Sequence, residues 1–145
     1  MKISTKGRYA LRLMLDIATY NKTGKPINIK DISKRQELSE KYLEQIISVL
    51  NKGGLVSSIR GSHGGYLLRK NPDEITVGMI FRLTEGDLAP VSCVSDDNNH
   101  CDRKNTCVTI HVYEQLNEAI KNVVDNITLE DLLNKQENTS NNYII

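Results

Sequence analysis

The chain lacks any long apolar run, any tryptophan and an even number of cysteines. Each absence excludes something. Without a stretch of about 18 or more apolar residues, no membrane-spanning segment is expected. Lys2, Lys6 and Arg8 interrupt the start, so no secretory leader is expected either. Three cysteines cannot form a closed disulfide framework, and a cytoplasmic protein with reduced thiols is expected. No phosphate-binding glycine loop, nucleophile–base triad or paired carboxylates in a concave setting can be read, so no enzyme is expected. Aromatics are sparse at 5%, with one Phe. The 39% hydrophobic and 26% charged content is that of an ordinary globular chain of 145 residues, long enough for one core.

What is present is unevenly distributed. The formal net charge is +1, yet residues 1–70 hold 14 Lys/Arg against 5 Asp/Glu, a net of +9. Residues 71–145 hold 5 against 13, a net of −8. A basic first half suits phosphate contact, and an acidic second half does not.

The periodicity predicts a helix over 8–20, with Leu11, Met14, Leu15 and Ala18 on its inner face. Asn28 can cap a short helix through Arg35, and Ser39 a helix over 40–52 whose inner face is Leu43, Ile46, Ile47 and Leu50. Gly53 and Gly54 end it. Residues 55–60 and 66–69 read as two strands around the permissive turn Gly61-Ser62-His63-Gly64-Gly65. This order, with a further helix from Thr76 to Thr84, predicts a mainly α fold with a small β-hairpin wing: a winged helix-turn-helix over 1–84. A polar loop follows over 85–106. A long helix is expected from Cys107 to Asn126, and a short one from Leu129 to about Lys135. A flexible tail is expected over 137–145. Val112, Leu116, Ala119, Ile120, Val123 and Ile127 form a stripe on the long helix. Since the small domain before it is already complete, the stripe is expected to pair with a second copy.

Two site readings follow. In a helix-turn-helix the second helix offers its N-terminal residues to the major groove, which nominates Ser39, Glu40, Lys41, Tyr42, Glu44 and Gln45 for double-stranded DNA. Tyr42 is equally well read as a core residue. Arg60, Gly61, Ser62 and His63 at the wing tip suit the minor groove. Lys6, Arg8 and Arg35 are candidates for phosphate contact. A dimer of such heads reads a palindromic operator.

The second site is the loop holding Cys93, Cys101 and Cys107, with seven and then five residues between them. Clustered thiols in a short loop suit an iron–sulfur cluster, and zinc less well because close cysteine pairs are missing. Reversible thiol oxidation without metal stays open. A cluster needs a fourth donor. His111, four residues past Cys107, is expected on the same side of a helix, with His100 and Asp102 as competitors.

Several stretches resemble the Rrf2 family of bacterial winged-helix regulators: Ser4-Thr5-Lys6-Gly7-Arg8-Tyr9-Ala10, Tyr42-Leu43-Glu44-Gln45, Ser58-Ile59-Arg60-Gly61, Gly64-Gly65-Tyr66-Leu67-Leu68 and Asn126-Ile127-Thr128-Leu129-Glu130-Asp131-Leu132. The resemblance covers nearly the whole chain. It implies a homodimer joined by the long helix and a DNA-binding repressor in which Glu44 helps select sequence. It also implies an iron–sulfur cluster on Cys93, Cys101 and Cys107, with 2Fe–2S ahead of 4Fe–4S. Expected targets are genes for cluster assembly, cysteine supply or stress defence. The family's ligand histidine falls here on Ile110, one residue before His111, and its nitric-oxide sensors carry a carboxylate where this chain has Arg8. Its cysteine-metabolism repressors end in Tyr-Ile and meet cysteine synthase through that end. By that resemblance Ile145 would be the corresponding contact here, against a trailing end without function.

Overall fold

The computed structural model describes residues 2–96 and 101–142, and His100 and the Tyr143–Ile145 end lie outside them. Helix α1 (Thr5–Tyr20) is opened by Ser4, whose hydroxyl accepts the Gly7 N–H. It starts three residues before the periodic stretch because the cap, and not an apolar stripe, sets its first turn. Helix α2 (Ile29–Gln36) is capped by Asn28, which accepts the Lys30 N–H at 2.8 Å. Glu37, in the left-handed region at φ 55°, turns the chain into α3 (Glu40–Lys52), which Ser39 caps as expected. At its end Gly53 stays right-handed, and Gly54, at φ 79°, makes the left-handed exit.

Strands β1 (Val56–Ile59) and β2 (Gly65–Leu68) form one antiparallel hairpin, with Val56 opposite Leu68 and Ile59 opposite Gly65. Strand β1 is shorter than the expected 55–60, and β2 keeps four residues but lies one residue earlier than expected, beginning at Gly65. Ile27 bridges to Tyr66 by two 2.9 Å backbone bonds, seating the hairpin on the head. Gly65 permits this close approach, since a Cβ there would overlap the Ile27 backbone. A 3-10 turn at Pro72–Glu74, not foreseen from sequence, leads into α4 (Val77–Glu85), capped by Thr76. A second 3-10 turn at Ser92–Val94 interrupts the polar loop before α5 (Ile110–Val124) and α6 (Leu129–Asn142).

Leu13, Met14, Ile17, Ile32, Leu43, Ile46, Leu50, Val56 and Ile80 are sealed from solvent in one core built from α1 to α4 and the hairpin. At ~2 kcal/mol for each large side chain, this burial is the main force holding the head together. Three boundaries differ from expectation. Helix α5 opens at Ile110 and not at Cys107, with Thr109 at its N-cap position and no side-chain cap bond. Helix α6 runs to Asn142, through residues expected as a flexible tail. Lys22 holds Glu137 at 2.7 Å, Gln136 donates to Thr19 at 3.1 Å, and the Thr139 hydroxyl donates back to the Lys135 carbonyl. Helix α6 also belongs with the head and not with α5. Leu129 and Leu133 enter the head core, and Val77 N–H and Leu129 N–H make 2.9 Å bonds to Ile127 and Ile75 carbonyls.

Candidate nucleic-acid interface and cysteine loop

Four apolar residues of α3, Leu43, Ile46, Ile47 and Leu50, are buried, so its other face is turned outward. Glu40, Lys41, Glu44 and Gln45 lie exposed on that face, with the cap residue Ser39 at its start. Ser48, also exposed, continues the row one turn on from Glu44 and Gln45. It was not read from the sequence, although its spacing from Lys41 was a usable signal. Tyr42 is different. It is half-buried, packs on the core and meets the Tyr9 ring edge-on at 5.9 Å.

Arg60, Gly61, Ser62 and His63 are all exposed at the wing tip. Strand β1 of the wing packs on α3, and burial pushes the Tyr66 phenol pKa up, with the Glu44 carboxylate adding to the shift. Arg8 is exposed, with its guanidinium on Thr5 Oγ1 at 3.3 Å, and Lys6 is half-buried beside it.

Arg35, expected as a phosphate contact, is engaged within the head. Its guanidinium makes two bonds to Asp16, at 2.7 and 3.0 Å, and stacks 3.9 Å from the Tyr20 ring centre. The Asp16 side chain is only 2% exposed, and it also accepts from Gln36 at 2.8 Å. Arg12 donates to Gln36 from the next turn of α1. This network fixes α2 on α1, and α2 in turn packs on α3, so it sets where the outward face of α3 lies.

The cysteine loop is fastened at both ends to α5. On one side, Asn117, buried on α5, donates to the Val94 carbonyl at 3.2 Å, and Lys121 pairs with Asp96 at 3.3 Å. These hold the Cys93 turn. On the other side, Cys107 stands three residues before α5. The Thr109 hydroxyl, 3.1 Å from Cys107 Sγ, and then the Ile110 N–H hold its thiol pKa below the ordinary value. Cys93 and Cys107 are half-buried, and Cys101 is exposed.

Because α5 opens after Cys107, the shared helix turn that linked Cys107 to His111 does not exist. His111 is 73% exposed, and its Nδ1 lies 3.4 Å from Glu114. Among the described residues no three of His, Cys, Asp and Glu are gathered around a metal position. The donor set fits an iron–sulfur cluster in kind: three thiols in one accessible loop, with Cys107 biased toward thiolate. No helix among the described residues is long and apolar enough to cross a membrane.

A basic head, an outward polar second helix and a glycine-tipped wing define a DNA-binding transcriptional regulator. The comparisons agree. Residues 3–135 match the model of the Rrf2 family, described as an iron-dependent transcriptional regulator. The regulator IscR of Pectobacterium atrosepticum is 41% identical over 94% of this chain and 82% of its own length. The regulator CymR of Bacillus subtilis is 43% identical over 91% of this chain and 89% of its own. The structure of CymR, described as the global cysteine regulator of B. subtilis, superposes with a TM-score of 0.74, covering 91% of this chain and 95% of that one. The structure of T. potens IscR, 41% identical, gives 0.75 over 96% and 90%. The chain belongs to the Rrf2 family.

Proposed function

We propose that the chain is a homodimeric, cytoplasmic repressor whose hold on a palindromic operator is set by an iron–sulfur cluster on Cys93, Cys101 and Cys107. One observation carries this reading: the cysteine loop is fastened at both ends to α5, and the outer face of α5 is apolar and uncovered. Val112, Leu116 and Val123 are 56%, 43% and 57% exposed, and with Ala119 they repeat at intervals of four, three and four residues. That is the spacing of a helix seam between two copies. A change in the loop therefore reaches the helix that joins the copies, and so the separation of the two heads.

When bound, a cluster supplies one-electron redox chemistry and an oxidant-sensitive state, tuned by ligands and exposure. The three cysteine thiolates would hold it, 2Fe–2S ahead of 4Fe–4S, with His111 as the fourth donor from the first turn of α5. The remaining work belongs to the head. Lys6 and Arg8 neutralise phosphate. Lys41, Glu44 and Gln45 meet base edges, with Ser39 and Glu40 at the groove edge. Arg60, Gly61, Ser62 and His63 follow the minor groove.

The test is the affinity of the full-length protein for a duplex enriched from a random library. It is measured at one salt concentration on anaerobically prepared protein, before and after removal of iron by a chelator. A change of about tenfold, within the usual range for coupled sites, is expected. Equal affinities in the two forms contradict the reading.

The likeness to a cysteine regulator favours a second reading, in which cysteine synthase controls the repressor through Ile145. Deleting Tyr143–Ile145 separates the two readings. It abolishes synthase binding in the second and leaves iron content and DNA binding untouched in the first.

A further inference from the structure

Helix α4 ends where the cysteine loop begins, and its last residue does not point into the loop. Glu85 reaches across 81 positions of sequence to the start of α1. Its Oε1 accepts the Ser4 hydroxyl at 2.5 Å and the Ser4 N–H at 3.2 Å. The same Ser4 hydroxyl accepts the Gly7 N–H at 3.1 Å, so Glu85 holds the group that caps α1. Gly7 leaves the room: a Cβ there would overlap Glu85 Oε1. The flanking residues are Lys6 and Arg8, which the reading above assigns to phosphate.

On its other side Glu85 is coupled to the cysteines. Gly86, at φ 80°, turns the chain, and Asp87 follows. The Asp87 carboxylate accepts the Ala89 N–H at 2.9 Å and also the Ser95 hydroxyl. Ser95 lies two residues past Cys93, just after the 3-10 turn that Asn117 pins to α5. The Cys93 turn is thus tied through Ser95 to Asp87, the backbone runs from Asp87 through Gly86 to Glu85, and Glu85 bonds Ser4 at the first turn of α1. Helix α4 also donates from Arg82 to Asp125 at 2.5 and 2.9 Å, just past the end of α5, so the carrier of Glu85 is braced against the same helix.

We propose that Glu85 is a positioning residue for DNA binding. It hands the state of the cysteine loop to Lys6 and Arg8 by holding Ser4, separately from any change in the spacing of the two heads. This rests on the reading that the loop is the sensor and that α1 meets phosphate. A displaced Cys93 turn shifts Asp87 and then Glu85, and the cap of α1 follows because the Ser4–Glu85 bonds tie the end of α4 to the first turn of α1, on two helices that also pack together.

Two full-length variants test it: Glu85→Ala removes the acceptor, and Gly7→Ala keeps it but occupies its place. Alanine favours helix at position 7, so a folded α1 is expected in that variant, and circular dichroism checks both. The probe is the library-enriched duplex. In the wild type, the ratio of affinities before and after chelation is expected near tenfold, and in both variants it is expected to fall within about twofold. Variants that keep the wild-type ratio overturn the proposal. A wild-type ratio of one would instead sink the sensor reading, and hydrogen exchange then decides on Glu85. DNA binding should slow exchange of residues 86–96 in the wild type and not in Glu85→Ala, because coupling between sites is reciprocal. The same slowing in both proteins, or in neither, overturns the proposal.

Discussion

The head and the α5 region handle apolar side chains in opposite ways. In the head, Leu13, Met14, Ile17, Ile32, Leu43, Ile46 and Leu50 are sealed, and its polar groups are matched, down to an almost fully buried Asp16 with Arg35 and Gln36. In the α5 region, Val108, Val112, Leu116 and Val123 face solvent, and Ile110, Asn117 and Val124 are buried. The head holds a core of its own, and the long helix leaves an apolar face uncovered. What can be completed by a partner or by a bound group lies in one half of the molecule, and what must stay fixed to read DNA lies in the other.

The contrast can be broken first on α5. Leu116→Glu together with Val123→Glu should give a monomer by analytical ultracentrifugation. The loss of linked half-site binding should cost roughly 100-fold or more in DNA affinity, while the melting temperature of the head holds. A variant that stays dimeric removes the seam from the account. The next effect is in the head. Asp16→Ala leaves Arg35 and Gln36 without their buried acceptor, and breaking such a pair costs roughly 3 kcal/mol. Thermal unfolding should begin roughly 10 °C lower, with dimerisation unchanged. Substitutions on the outward surface are smaller still. Gln45→Ala and Arg60→Ala should each weaken DNA binding by about tenfold at matched salt, as loss of a base contact does, and leave melting unchanged. Binding like the wild type would remove them from the interface.

The smallest effect is at the junction of the two regions. The Arg82 guanidinium holds the Asp125 pKa below its ordinary value of 3.8. The folded-state value is depressed, so the pair stabilises the fold above pH 3.8, and that contribution is lost as pH falls through the lower folded value. Both side chains are about two-fifths exposed, which limits the effect to about 0.5 kcal/mol. The melting temperatures of Asp125→Asn and the wild type should differ slightly near neutral pH and converge in acid. A difference that persists in acid would assign the stabilisation to packing.

The same division governs what the sequence reveals. Asn28, Ser39 and Thr76 are legible as caps because each bonds an N–H two or three residues away, and the wing is legible from its glycine turn. The outward residues of α3 follow from the period of its buried ones. Three features are not legible because distant residues decide them. Helix α6 is polar beyond Leu133, and its later turns meet Thr19 on α1 and Lys22 just past its end. Arg35 looks like any surface cation until Asp16 and Tyr20 are seen beside it. The Ser4–Glu85 bonds span the whole head. The shared helix turn expected for Cys107 and His111 is absent because α5 begins only at Ile110, and the Cys107 turn is held by Thr109.

The measurement that bears most directly on the account is the iron and sulfide content of the full-length protein purified without oxygen, read with its visible spectrum. Coloured protein with stoichiometric iron and sulfide, and loss of both in Cys93→Ala, Cys101→Ala and Cys107→Ala, is the predicted result. A colourless, iron-free protein after reconstitution, or iron that survives loss of these cysteines, would contradict it.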